Sequence, residues 1–153
     1  MTLSRHELAS HPFGTEIVIH EIVEQFSKQK AWEDKYRLLI QLAKKLPSLT
    51  EEEKQQTQEV HGCENRVWIG AILNDDDTFH FYGDSEGRVV KGLFAILLAC
   101  VEQKNAQQIL ATDFDEIFSQ TGLSGQLSES RQNGIHALIT AIKNIAGEMT
   151  PAE

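Results

Sequence analysis

The chain has 153 residues, 41% of them hydrophobic and 24% charged, with 10 glycines and 3 prolines; this is the size and balance of one compact domain and excludes a disordered or fibrous chain. Asp and Glu number 23 against 14 Lys and Arg, a formal net charge of −9. Such a chain repels nucleic acid and anionic membranes and favours a partner with a basic docking surface. Its two cysteines, Cys63 and Cys100, are too few for a disulfide framework and form no CxxC pair, so a Cys-rich structural zinc site is not indicated.

Met1 to Thr15 carries charged and polar residues where the apolar region of a signal peptide would lie. The longest apolar run, Leu93 to Val101, has nine residues, far short of the roughly 20 that a membrane span needs. The expectation is a soluble cytoplasmic protein with reduced thiols. It forms a single domain over 1–153, with flexible ends at 1–14 and 148–153.

Ile19, Ile22, Val23 and Phe26 recur at helical spacing and predict an amphipathic helix over 16–29. Trp32, Tyr36, Leu39, Ile40 and Ala43 predict a second over 31–45, ended by Pro47, with Trp32 and Tyr36 in the core and Glu33 pairing with Arg37. Thr50 followed by Glu53 is a capping-box pattern that opens a short third helix. Gln58 to Val60 is a candidate edge strand. From Arg66 the period becomes two: Val67, Ile69, Ala71 and Leu73 alternate with Trp68, Gly70 and Ile72. After the Asn74-Asp75-Asp76-Asp77 turn, Phe79 and Phe81 alternate with His80 and Tyr82, giving a β-hairpin.

Gly83 to Gly87 reads as a loop with Ser85 as an N-cap, since Asp84 and Glu86 there would repel a phosphate. Val90, Leu93, Phe94, Leu97, Cys100 and Val101 predict a buried helix over 87–103. Asp113 with Glu116 opens a short helix through Phe118, and Ile135, Leu138, Ile139, Ile142 and Ile145 predict a last helix over 129–147. The fold class is α+β: a small antiparallel sheet, a hairpin plus a short edge strand, packed by helices that must cover its apolar face.

The chemistry centres on His61-Gly62-Cys63-Glu64-Asn65-Arg66, just before a strand. The glycine permits a tight turn beside the thiol, and loops on rigid scaffolds carry reactive groups. A nearby cation such as Arg66 would lower the thiol pKa, and Glu64 would raise it. The local residues fit a reactive thiol and an inert loop cysteine equally well. Cys100, on the apolar stripe of a helix, is core. His61 is a candidate base or acid, with a solvent-exposed loop histidine as the plainer reading. No histidine stands at a metal-ligand spacing, and Asp75 to Asp77 lack the spaced ligands of a calcium loop.

Six segments in order resemble the SufE family: Trp32 to Arg37, Leu46 to Leu49, Gly62 to Trp68, Gly83 to Ser85, Val90 to Leu93 and Leu127 to Gly134. His11 to Thr15 and the run Gly-Cys-Glu-Asn-Arg-Val-Trp are similar to the CsdE branch. The resemblance implies the α+β fold shared with iron–sulfur scaffolds of the IscU type, and a sulfur acceptor whose persulfide forms on Cys63. It matches Asp84 and Arg131 to residues beside the acceptor loop, Arg131 as a stabiliser of the thiolate or persulfide. The implied partner is a cysteine desulfurase of the CsdA or SufS kind, whose pyridoxal phosphate belongs to that partner, so the chain itself needs no cofactor and no metal. A downstream sulfur or cluster recipient, in iron–sulfur cluster assembly or elsewhere, is implied too.

The protein would then be a carrier and desulfurase activator, not a free-standing enzyme. Cys63 would rest against Trp68, Ile72 or Leu93 and extend on docking. The competing readings are a noncatalytic acidic interaction domain and a cysteine hydrolase using Cys63 and His61.

Overall fold

A computed structural model describes residues 10–149. The chain runs through α1 (Ile19–Lys28), α2 (Trp32–Lys45), α3 (Glu51–Gln55), β1 (Gln58–Glu59), β2 (Val67–Leu73), β3 (Thr78–Ser85), α4 (Arg88–Val101), β4 (Lys104–Asn105), α5 (Ala106–Ala111), α6 (Phe114–Thr121) and α7 (Glu129–Glu148). The four strands form one antiparallel sheet in the order β1-β2-β3-β4, with Val67 opposite Ser85 and Leu73 opposite Phe79. The α+β expectation holds, with a fourth strand that sequence reading did not anticipate.

The alternation in the hairpin decides which face is buried. Val67, Ile69, Phe79 and Phe81 point inward and are wholly buried. They meet α4, twelve of whose fourteen residues are buried, so it is apolar all round and forms the hub. α4 packs in turn on α2, α7 and α1. Trp68, Gly70, Ile72, His80 and Tyr82 occupy the opposite face.

Several local expectations are confirmed at atomic level. Thr50 Oγ1 accepts from Glu53 N–H while Glu53 returns a bond to Thr50 N–H. Asp113 caps α6. A cap that the sequence reading did not name is Ser128, which accepts from Arg131 N–H at the start of α7.

Others are corrected. α1 starts at Ile19, not 16, because Pro12 O accepts from Glu16 and Ile17 N–H and folds that stretch into a turn. Arg37 pairs with Asp34 rather than Glu33. Trp32 and Tyr36 are half-buried on the rim of the core. β3 runs on to Ser85, and the N-cap of α4 is Gly87, so Ser85 caps nothing; its hydroxyl accepts Gly87 N–H instead.

Of the ends expected to be flexible, 1–9 and 150–153 lie outside the described residues. Residues 10–14 are tied down by Phe13, which is 0% exposed. Glu148 ends α7 and Met149 is its C-cap. β4 and α5 escaped the periodicity because both are short. Even so, Asn105 and Gln108 form a capping box that could have marked the helix start.

Lys35 is 4% exposed. Its ammonium donates to Phe26 O at 2.7 Å and Thr121 O at 2.9 Å, closing the C-terminal turns of α1 and α6.

Candidate functional site

The loop 61–66 joins β1 to β2, and its mouth is held by Val60 N–H to Val67 O at 2.8 Å and Glu86 N–H to Arg66 O at 3.1 Å. Between these ties Gly62 takes φ +101, a conformation that a side chain would strain. That turn lays the loop against α7 and places Cys63, half-buried, on the first turns of the helix. The Cys63 thiol donates to Gly134 O at 3.5 Å. Helix and loop are packed in direct contact at Gly134. A Cβ there would sit 3.4 Å from Cys63 Sγ and 3.6 Å from its Cα.

Beside the sulfur is a void of about 10 Å³, close to the least volume that admits one water-sized atom. Val90 and Leu93 of α4 and Ile135 and Leu138 of α7 wall it, with Glu64 and Arg131 at its rim. Burial pushes the Cys63 thiol up from its ordinary value, so at rest the group is a protonated, sheltered thiol. Of the three residues expected to shelter it, Leu93 does; Trp68 and Ile72 are not in the wall.

Arg131 brings the positive charge to this lining. Its Nε lies 3.9 Å from Glu64 Oε2, a loose ion pair, and finds no hydrogen-bond acceptor among the described residues although that atom is buried. A buried donor without an acceptor is unfavourable by about 1–3 kcal/mol.

The remaining candidates stand further off. His61 is exposed and outside the cavity wall; nearby Glu59 has its carboxyl held below its usual range chiefly by the hydrogen bond from Arg66. Arg66 itself is directed at Glu59 (2.8 Å) and over the Trp68 ring, not at the sulfur. Asp84 is buried. Its carboxylate accepts from Leu49 N–H at 3.0 Å and Ser85 N–H at 2.8 Å and pairs with Lys91 at 3.0 Å, which pins the 46–50 segment to the start of α4. None of those three partners belongs to the 61–66 loop. Cys100 is buried in α4 with its thiol pushed up to about 12 by desolvation, which leaves it inert.

Sequence reading did not find Gly134, Val90 or Leu138 as parts of the site. Gly134 stands 71 residues from Cys63, and the two apolar residues look like any other core position.

The SufE model, described as an Fe-S metabolism associated domain, matches residues 20–146. The chain is 46% identical over 140 residues to the sulfur acceptor protein CsdE of Escherichia coli K12, covering 92% of this chain and 95% of that protein. It is 39% identical to an uncharacterised SufE-like protein of Haemophilus influenzae, covering 81% and 98%. A solution structure of a hypothetical protein from Thermus thermophilus superposes with a TM-score of 0.69 at 17% identity, over 85% of this chain and 93% of that one, and so shares the fold. A family match that runs from the first helix to the last, with 46% identity to a relative over nearly the whole of both chains, places this protein in the SufE family.

Proposed function

We propose that this protein is a sulfur acceptor and carrier, and that Cys63 takes the outer sulfur of a persulfide formed on a pyridoxal-phosphate cysteine desulfurase. One observation carries the reading: the Cys63 thiol lines an apolar void of single-atom size together with Arg131, whose buried Nε has no hydrogen-bond acceptor among the described residues. Its likeness to a relative named as a sulfur acceptor supports it.

The step is a thiol exchange. Cys63 loses its proton as the loop leaves the apolar wall, and the thiolate attacks the outer sulfur of the donor persulfide. The new Cys63 S–S bond forms as the donor S–S bond breaks, and the donor cysteine leaves as thiolate and takes up a proton. No external oxidant or reductant is consumed. Because the donor thiol is regenerated, the carrier raises the turnover of the desulfurase without performing its cofactor chemistry.

Arg131 stabilises the anionic sulfur, and docking converts a bimolecular encounter into a positioned one. When the loop returns, the void receives the outer sulfur and shields it from stray thiols until a cluster-assembly or other sulfur recipient takes it. A reducing cytoplasm suits a free thiol with this task. No helix among the described residues is long and apolar enough to cross a membrane. Hydrolysis by Cys63 and His61 lacks its geometry, because His61 is exposed and outside the cavity wall.

Intact-protein mass spectrometry after incubation with a desulfurase and cysteine tests the assignment. The expected product gains one sulfur at Cys63 that reductant removes, and Cys63→Ser gains none. Equal loading of Cys63→Ser would reject it.

A further inference from the structure

A cleft of about 650 Å³ opens on the outer face of the sheet, away from Cys63, and His11, His80 and Glu102 meet in its lining. The Glu102 carboxylate accepts from His80 Nδ1 at 2.8 and 3.0 Å and lies 3.3 Å from His11 Nε2. The two imidazoles stack with centroids 4.8 Å apart. One ligand atom from each residue lies within 4.8 Å of the others, the spacing of a metal centre, but the proton inventory argues against one. His11 Nε2 is 2.7 Å from Phe81 O, which can only accept, while His11 Nδ1 receives Phe13 N–H at 3.2 Å. His11 is therefore the neutral Nε2–H tautomer, and its lone pair is turned away from Glu102.

We propose that this cluster is an acid-released latch that holds the strap of residues 10–17 on the sheet. A proton added to His11 would turn Nδ1 from an acceptor into a second donor facing the Phe13 N–H, and the strap loses its tie at its own anchor. That anchor is Phe13, wholly buried. The strap is a closed turn, with Pro12 O accepting from Glu16 and Ile17 N–H and Gly14 N–H donating to Ile17 O, so it lifts as a unit.

The titratable groups around His11 are few. Glu102, from the end of α4, favours its protonation; the hairpin carboxylates Asp75 and Asp76 stand in the same cleft wall. Glu53 of α3 lines the neighbouring groove with His11. His80 opposes it, with Tyr82 stacked on its far side. Burial is the largest influence and holds the pKa of His11 below its ordinary 6.5, against the Phe81 carbonyl and Glu102. With the folded value below the unfolded one, the closed strap binds fewer protons between the two. Closure is therefore complete above 6.5 and weakens as pH falls toward the lowered value.

Amide exchange of the full chain between pH 8 and pH 5 reads this directly. Protection of the Phe13 and Ile17 amides is expected to fall by up to about tenfold per pH unit through the titration of one histidine, in step with the His11 ring signals, while the Leu97 amide in α4 stays protected. His11→Asn keeps an acceptor for Phe13 N–H that cannot be protonated, and its strap protection should lose the pH dependence; His80→Asn should keep it. Strap protection that tracks Leu97 at every pH, or a pH dependence that survives in His11→Asn, overturns the latch. If His11→Asn does not fold, a mismatch between the wild-type His11 titration and strap opening overturns it equally.

Discussion

Cys63 and Gly134 touch across 71 residues of chain: the thiol donates to the Gly134 carbonyl at 3.5 Å, and a Cβ on residue 134 would stand 3.4 Å from Sγ, at the near edge of ordinary contact. Gly134→Ala sets two effects against each other. Alanine inside a helix is worth about 0.5–1 kcal/mol over glycine, but its methyl would press on Sγ at 3.4 Å. The expected result is a fold of near wild-type stability with Cys63 pushed outward, read as alkylation of Cys63 several-fold faster than in wild type. Unchanged alkylation would mean that the loop is not seated by this contact.

The two thiols should separate cleanly by reactivity. Burial raises the pKa of Cys63 in the free protein, and that of Cys100 to about 12. Thiolate is the reactive form, so native protein should alkylate at one site only. The rate at Cys63 should climb with pH toward a midpoint above the ordinary thiol value, and in denaturant both residues should react. Peptide mapping of the labelled protein checks the site, and a Cys63 midpoint below the ordinary value would show the thiolate to be favoured at rest.

Arg131→Ala removes the buried donor that has no acceptor in the resting site. A charge-assisted hydrogen bond contributes about 1.5–3 kcal/mol, so sulfur loading from a desulfurase should slow about tenfold or more while thermal stability holds. Loading at the wild-type rate would remove Arg131 from the mechanism.

Asp84 and Lys35 are expected to act on stability. Asp84→Asn loses its charge pairing with Lys91 and weakens the tie to Leu49; Lys35→Met strips the donors from Phe26 O and Thr121 O. Each should lower unfolding free energy by about 1–3 kcal/mol in a urea titration. Sulfur loading per folded molecule should be unchanged in both. A loading defect in folded Asp84→Asn would instead put that carboxylate in contact with the acceptor loop during transfer.

Periodicity was enough to locate α2, α7 and the hairpin, because each buries one face of its own and that face repeats along the chain; α4, buried almost all round, showed as helical spacing inside an unbroken apolar run. The caps at Thr50 and Asp113 lie within three residues of the amides they bind, so they too are local. The run around Cys63, with five companion segments in order, was likewise readable from the chain alone, and it carried the family.

Nothing local distinguishes Gly134 from any other helix glycine, or Val90 and Leu138 from the rest of the core. Their meeting with Cys63 depends on how α4 and α7 close around one loop. The same holds for His11, His80 and Glu102, which come from three separate stretches of chain. It holds for Arg66 as well, whose sequence position suggested the thiol but whose side chain turned to Glu59. Sequence specifies the faces that must be buried; which side chains then stand within bonding distance is set by packing between segments far apart in the chain.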